Sequence, residues 1–235
     1  TAINYTEKRP FFNRGIDLFN YSLDVFYTRS INNPSFASKI LNQGKKSRLY
    51  VLSAVDKDTP KLVPTHYESI SGDGVKNFNN IIRYEHLVNQ NTRFGGLLSN
   101  RLYEGDAYGN LIGLNGIINF SRSWKIRFEF FKNSNQEPVA DWIDSEKTFA
   151  DYTVKLDGEK FAGHAFYSEL RRETLNWRSF IRYTNISPTF RSDLGFITQN
   201  DVKKYEIWHG YYSFPNTQLI KNYRLSAKYD REYNY

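Results

Sequence analysis

The chain has 235 residues, a net charge of +7, no cysteine and no methionine; 17% of it is aromatic (18 Phe, 18 Tyr, 4 Trp), while mean hydropathy is -0.64. That composition excludes a disordered chain, which is poor in aromatics, and excludes a disulfide scaffold or a thiolate metal site outright. No stretch approaches the ~18 consecutive apolar residues of a spanning helix, and zero cysteine fits an oxidising compartment. The positive balance fits a nucleic acid, an anionic membrane surface or an anion-lined cavity.

The chain opens Thr1-Ala2-Ile3, without an initiator Met or a basic-then-apolar leader, so a removed signal peptide and a soluble domain before residue 1 are expected. The first third is irregular. Only 48–55 reads as a strand there, and 56–74, rich in charge and Pro, reads as a long loop. From residue 78 strict period-two alternation sets in, weakly in 80–88 and 93–103 and clearly afterwards. In 111–120, Ile112, Leu114, Ile118 and Phe120 oppose Asn115 and Asn119. In 124–133, Trp124, Ile126, Phe128 and Phe130 oppose Lys125, Arg127 and Glu129. Segment 148–156 has no clear period, and 161–170 alternates weakly. In 175–187, Leu175, Trp177, Ile181 and Tyr183 oppose Asn176, Arg178, Arg182 and Thr184. Segment 204–214 carries aromatics on both faces, which leaves its orientation open. The last segment sets Tyr223, Leu225, Ala227 and Tyr229 against Arg224, Ser226, Lys228 and Asp230. Turn-forming clusters at 104–106, 133–135, 157–158 and 215–216 separate the segments, and no helical period is visible.

Segments of ~9–13 residues exceed the ~5–6 usual for soluble strands and match the ~9–11 that cross an apolar layer on a tilt. Aromatics recur at segment ends (Phe120, Trp124, Tyr84, Tyr103, Tyr183, Tyr223, Tyr233, Tyr235), as in interfacial girdles, and full charges sit mid-strand on the polar face. The expectation is an all-β, antiparallel transmembrane β-barrel of the outer-membrane type. About 10–12 strands fit this length, with further strands expected after residue 235 because 230–235 continue a strand. Trp124, Ile126, Phe128, Phe130, Leu225 and Tyr229 then face lipid. On that reading Phe128→Arg costs ~2–4 kcal/mol and Arg127→Ser little. A soluble all-β carbohydrate-binding module is the alternative, and detergent dependence separates the two.

Two motifs carry a resemblance. Glu7-Lys8-Arg9-Pro10-Phe11-Phe12 with Gly15, Leu18-Phe19 and Phe26-Tyr27-Thr28-Arg29-Ser30-Ile31 is similar to the opening of an uncharacterised Gram-negative outer-membrane barrel family. Ile186-Ser187-Pro188-Thr189-Phe190-Arg191-Ser192-Asp193-Leu194-Gly195-Phe196-Ile197 resembles that family's P-x-F-x-x-D-L-G-F-[IV] signature. The similarity spans roughly residues 5 to 200. Asn42-Gln43-Gly44-Lys45-Lys46-Ser47 departs from the family's usual G-K-[TV]-G turn. The resemblance implies a carbohydrate-binding-like (family-nine-like) domain ahead of a barrel in the bacterial outer membrane, with no catalytic residues to carry over.

The polar phase of the strands gives a candidate lumen lining: Arg83, Glu85, Lys125, Arg127, Glu129, Arg178, Arg182, Arg224, Lys228 and Asp230. Its basic excess suggests an anion-biased channel or a groove for an acidic ligand. Cross-strand ion pairs and a plug would satisfy the same charges. Phe190, Asp193 and Phe196 form a candidate docking turn for a partner or plug, with Gly195 supplying a positive φ and Asp193 free to pair with Arg191. His66, His86, His164 and His209 show no metal-ligand spacing, so no metal and no cofactor are expected. An outer-membrane hydrolase would need a Ser/His pair on neighbouring strands. Cations and aromatics on opposite faces argue against a nucleic-acid partner. The N-x-[ST] triplets at Asn4, Asn20, Asn119 and Asn185 carry no expectation of glycosylation. The partners expected are outer-membrane lipid and other outer-membrane or periplasmic subunits.

Overall fold

The computed structural model describes residues 6–235 except Val75, Asn216 and Gln218; Asn4 and the turn residue Asn216 therefore lie outside the described residues. The ordered N-terminal segment carries one helical turn, α1 (Pro10–Asn13), and 3-10 turns at Ile16–Phe19 and Thr28–Ser30. Ten long strands follow: β1 (Pro34–Gln43), β2 (Ser47–Asp56), β5 (Asn77–Leu87), β6 (Arg93–Tyr103), β7 (Tyr108–Asn119), β8 (Trp124–Gln136), β13 (Lys160–Glu173), β14 (Trp177–Ile186), β15 (Val202–Ser213) and β16 (Tyr223–Tyr233). Short pairs fill the longer connections: β3 (Pro60–Pro64) with β4 (Ser69–Asp73), β9 (Val139–Ala140) with β12 (Leu156–Asp157), and β10 (Thr148–Phe149) with β11 (Tyr152–Thr153).

The ten strands form one antiparallel sheet in the order β1-β2-β5-β6-β7-β8-β13-β14-β15-β16. Successive long strands are neighbours in space, an antiparallel meander in which tight connections join most pairs and longer ones join β2 to β5, β8 to β13 and β14 to β15. The sheet is all-β as expected, but it does not close: among the described residues β1 and β16 each pair with one strand only.

Several sequence expectations are corrected. The supposed loop 56–74 contains the β3/β4 hairpin, which the prolines at both ends of β3 had disguised. β1 was missed because Ile40 points one way and Leu41 the other, giving no polar phase. The turn placed at 133–135 is ladder, since β8 continues through Asn133 and Asn135 to Gln136.

Burial follows the two phases of the strands. On the concave side Tyr50, Leu52, Ala54, Ile81, Leu97, Leu111, Phe131, Ala165 and Tyr167 form the main core with Phe12, Leu18, Phe19, Leu23, Val25, Phe26 and Ile31 of the N-terminal segment. On the convex side Ile40, Ile82, Leu98, Ile112, Leu114, Ile181, Ile207, Leu225 and Tyr229 are all exposed. Residues 6–31 thus lie against the inner face as a seal.

Candidate functional site

Every candidate lumen residue falls on the inner phase. The registers place Arg83 opposite Tyr50, Glu85 opposite Arg48, Arg127 opposite Glu169, Arg182 opposite Glu169 and Glu206, and Lys228 and Asp230 opposite Trp208 and Glu206. The seal divides this set in two. Under the seal the charges end on its backbone. Buried Arg83 donates from Nε to the Leu18 carbonyl at 3.0 Å. Buried Glu129 accepts from the Ser22 amide at 2.8 Å and from Leu23, and Arg127 Nε holds its Oε1 at 2.8 Å. A second Arg127 nitrogen donates to the Asn20 carbonyl. Arg101, also buried, donates to Ser30 O at 2.7 Å and to Asn79 Oδ1 at 2.7 Å. Each of these also has a partner on the sheet (Glu85 for Arg83, Arg127 for Glu129, Asn79 for Arg101), and the seal supplies the bonds that the sheet leaves unmade. Gly95 lies where a Cβ would collide with the Arg83 guanidinium, which explains one member of the Gly95-Gly96 pair as close approach.

The two motifs of the sequence resemblance lock to each other. Tyr27 N donates to Leu194 O at 2.8 Å, Phe196 N to Asp24 O at 2.7 Å, and Ser192 Oγ to Val25 O at 2.7 Å. Arg9, chelated by Glu7 (2.7 Å), reaches back to Ile31 O (2.8 Å) and Thr28 O (3.1 Å) and closes the opening motif into a loop. Burial by itself would raise the Glu7 carboxyl, but the Arg9 bonds outweigh it and hold Glu7 down at about 2.

Beneath the 187–201 connection sits a buried ionic cluster. Lys61 Nζ meets Asp193 Oδ2 at 2.7 Å and the Tyr103 hydroxyl at 2.7 Å, and Tyr103 donates to Asp193 at 2.9 Å. Arg191 lies 3.3 Å from Asp193 and 2.5 Å from Glu137. Burial opposes ionisation of Asp193, yet Lys61, Arg191 and Arg101 together hold its carboxyl well below the usual range. The turn is therefore structural. Phe190 is fully buried, which removes it from any exposed docking surface, and Phe196 packs on Tyr27 with ring centroids 5.5 Å apart. Gly195 has no positive φ; a Cβ there would stand 2.5 Å from Asp24 O, so close approach is what it provides. What docks on this turn is the chain's own N-terminal segment.

Beyond the seal, β14–β16 keep an open inner face. Glu169 gathers Arg171 (2.7 Å) and Arg182 (2.6 Å), Glu206 faces Arg182 (3.8 Å) and Lys228 (3.5 Å), and Lys228 also reaches Asp230 (3.6 Å). Lys125 pairs with Glu173 at 3.7 Å. Arg178 and Arg224 make no ion pair with a described residue. On the convex side Ser179 Oγ meets His209 Nδ1 at 2.6 Å, with Trp177 stacked on the imidazole at 5.2 Å. No carboxylate or amide partner orients the other ring nitrogen among the described residues. Glu137, Asp157 and Glu159 bring carboxylate oxygens within 4.8 Å of one another, with Arg191 already neutralising Glu137.

Sequence reasoning named Arg191 as a partner of Asp193, which the structure bears out, and overlooked Arg101, Glu169, Lys61 and Glu137. Carrying the phase through the weakly alternating segments would have found Arg101 and Glu169. Lys61 lay in the stretch read as loop, and nothing local points to it. Compared with known proteins, the chain matches no family model, no curated protein and no solved structure.

Proposed function

We propose that this sheet is part of the wall of a transmembrane β-barrel in the bacterial outer membrane, a non-enzymatic scaffold or pore subunit whose lumen face is sealed by residues 6–31. The carrying observation is an outer face lined with exposed aliphatic side chains, opposite an inner face that carries buried charges. Arg83, Arg101, Glu85 and Glu129 are buried on the concave face while Leu114 is 60% and Leu225 73% exposed on the convex one. A continuous band of exposed aliphatic side chains along one face is what a wall in lipid presents. Aromatic rows on β14–β16 flank the apolar band: Tyr183, Tyr205 and Tyr233 on one side, Trp177, Tyr211 and Tyr223 on the other. The free edges of β1 and β16 call for additional strands to close the wall, since an open edge is not tolerated in hydrocarbon. The likeness of the two interlocked motifs to the outer-membrane family supports the same location, lipid as the wall's partner, and neighbouring outer-membrane or periplasmic subunits.

Detergent dependence tests this. The purified protein should stay dispersed only with detergent or lipid; a chain that remains monodisperse and folded without either is a soluble all-β module, and the reading fails. The Ser179–His209 pair favours a second reading, a hydrolase acting at the membrane boundary, because the hydroxyl has a base within reach. Covalent labelling of Ser179 by a fluorophosphonate, lost in Ser179→Ala, would establish it. An unlabelled Ser179 leaves the non-enzymatic reading.

A further inference from the structure

We infer that the unsealed inner face of β13–β15 holds a binding site for a small aromatic carboxylate. A hollow of about 200 Å³ opens there, lined by Arg171, Glu173, Arg178, Phe180, Trp208 and Tyr212. That is room for one ring-sized group rather than an extended polymer. Three features define its chemistry.

The first is a flat apolar floor. Phe180 and Trp208 face each other across the β14–β15 register and stack with planes 15° apart and centroids at 5.9 Å. Gly210 makes this possible, because a Cβ there would collide with the indole of Trp208. Arg182 lies 4.0 Å over the Phe180 ring and covers that face of it, so the Trp208 indole carries the larger share of the floor. An aromatic ring added to this pair continues an existing stack at little conformational cost.

The second is an uncommitted cation. Arg171 and Arg182 are neutralised by Glu169. Arg178 makes no ion pair among the described residues; its guanidinium lies 4.7 Å over the Tyr212 ring and is exposed. A planar fork beside a planar floor suits a carboxylate in the plane of its own ring. Arg224, paired in register with Tyr212 and likewise free of ion pairs among the described residues, adds positive charge at the mouth. Glu173 is the one carboxylate in the lining, and Lys125 (3.7 Å) and Arg171 (3.5 Å) offset it.

The third is a shortage of neutral hydrogen-bonding groups. The Ser179 hydroxyl turns to the opposite face, where it meets His209, so Tyr212 supplies the neutral side-chain hydroxyl of the lining, and a charged planar ligand suits the hollow better than one that presents only hydroxyls.

The site lies on the face opposite the apolar band, so it stands independently of the membrane reading. Isothermal titration of the full chain in detergent micelles with 4-hydroxybenzoate tests it. We expect saturable binding, at least tenfold weaker for 4-hydroxybenzyl alcohol, which lacks the charge, and for acetate, which lacks the ring. Arg178→Gln and Trp208→Leu should each weaken binding tenfold or more, with Arg178→Lys recovering part of the loss. Absence of binding by the folded protein, equal binding of the two controls, or unchanged affinity in both variants overturns the proposal. If binding holds in a chain that needs no detergent, the site survives and the membrane reading falls; the converse result separates them the other way.

Discussion

The inner face of β2–β8 and that of β14–β16 carry the same kind of residue and meet different fates. Under the seal, Arg83, Arg101 and Glu129 are buried and find their partners on the backbone of residues 6–31. On the open side, Arg182 and Lys228 are half or fully exposed and find theirs on neighbouring strands. Alternation tells which residues point inward, and it does not tell what satisfies them. The energetic weight of an inner-face charge is set by what lies over it.

The heaviest test of that contrast falls on the latch. Asp193→Ala leaves Lys61 and Arg191 facing each other across a buried site and should cost ~3–5 kcal/mol, because the charges left behind cannot be resolvated. Chemical unfolding in detergent, with a denaturant midpoint, measures it.

Next is the outer face. Phe128→Arg should cost ~2–4 kcal/mol in lipid, whereas the same change on a water-exposed face falls within ~0.5 kcal/mol. Reversible folding into vesicles gives the difference.

Third come two arginines from the two halves. Arg127→Ser was expected from sequence to cost little; the structure revises this to ~1–3 kcal/mol, since buried Glu129 loses the one guanidinium it has among the described residues. Arg182→Ser should cost under ~1 kcal/mol, because Arg171 and the Tyr167 hydroxyl still hold the buried Glu169 and Arg182 itself is half-exposed. Equal costs for the two would erase the contrast between sealed and open halves.

The smallest effect is acid loosening of the seal. Glu7 and Asp193 both ionise more readily in the folded chain, so their contribution is present above the unfolded carboxylate range and fades as pH falls through the folded values. For Glu7 that window runs from 4.5 down to about 2. Limited proteolysis with an acid-active protease should show residues 6–31 becoming cleavable in that window. Glu7→Gln should shift cleavage to higher pH.

Much of the wall was legible beforehand because its signal is periodic. Trp124, Ile126 and Phe128 against Lys125, Arg127 and Glu129 specify both a strand and its faces without any knowledge of neighbours. The seal was not legible in this way. Leu18, Phe19, Leu23 and Phe26 have no regular spacing, since a segment with only single turns satisfies its backbone partly within those turns and partly through side chains of the wall. Phe190 and Asp193 were recognisable as a motif but not as its inside. An apolar turn can face a partner or be buried by its own chain, and only the tertiary contacts of Tyr27 and Asp24 distinguish these.

The absence of cysteine allows the central claim to be tested with single-cysteine variants. A fluorophore placed at Leu114 or Ile181 on the outer phase, and at Arg178 or Ser226 on the inner, is read in vesicles with and without a quencher attached to lipid acyl chains. The account predicts strong quenching at 114 and 181 and little at 178 and 226. Equal quenching at all four, or none at 114 and 181, would contradict it.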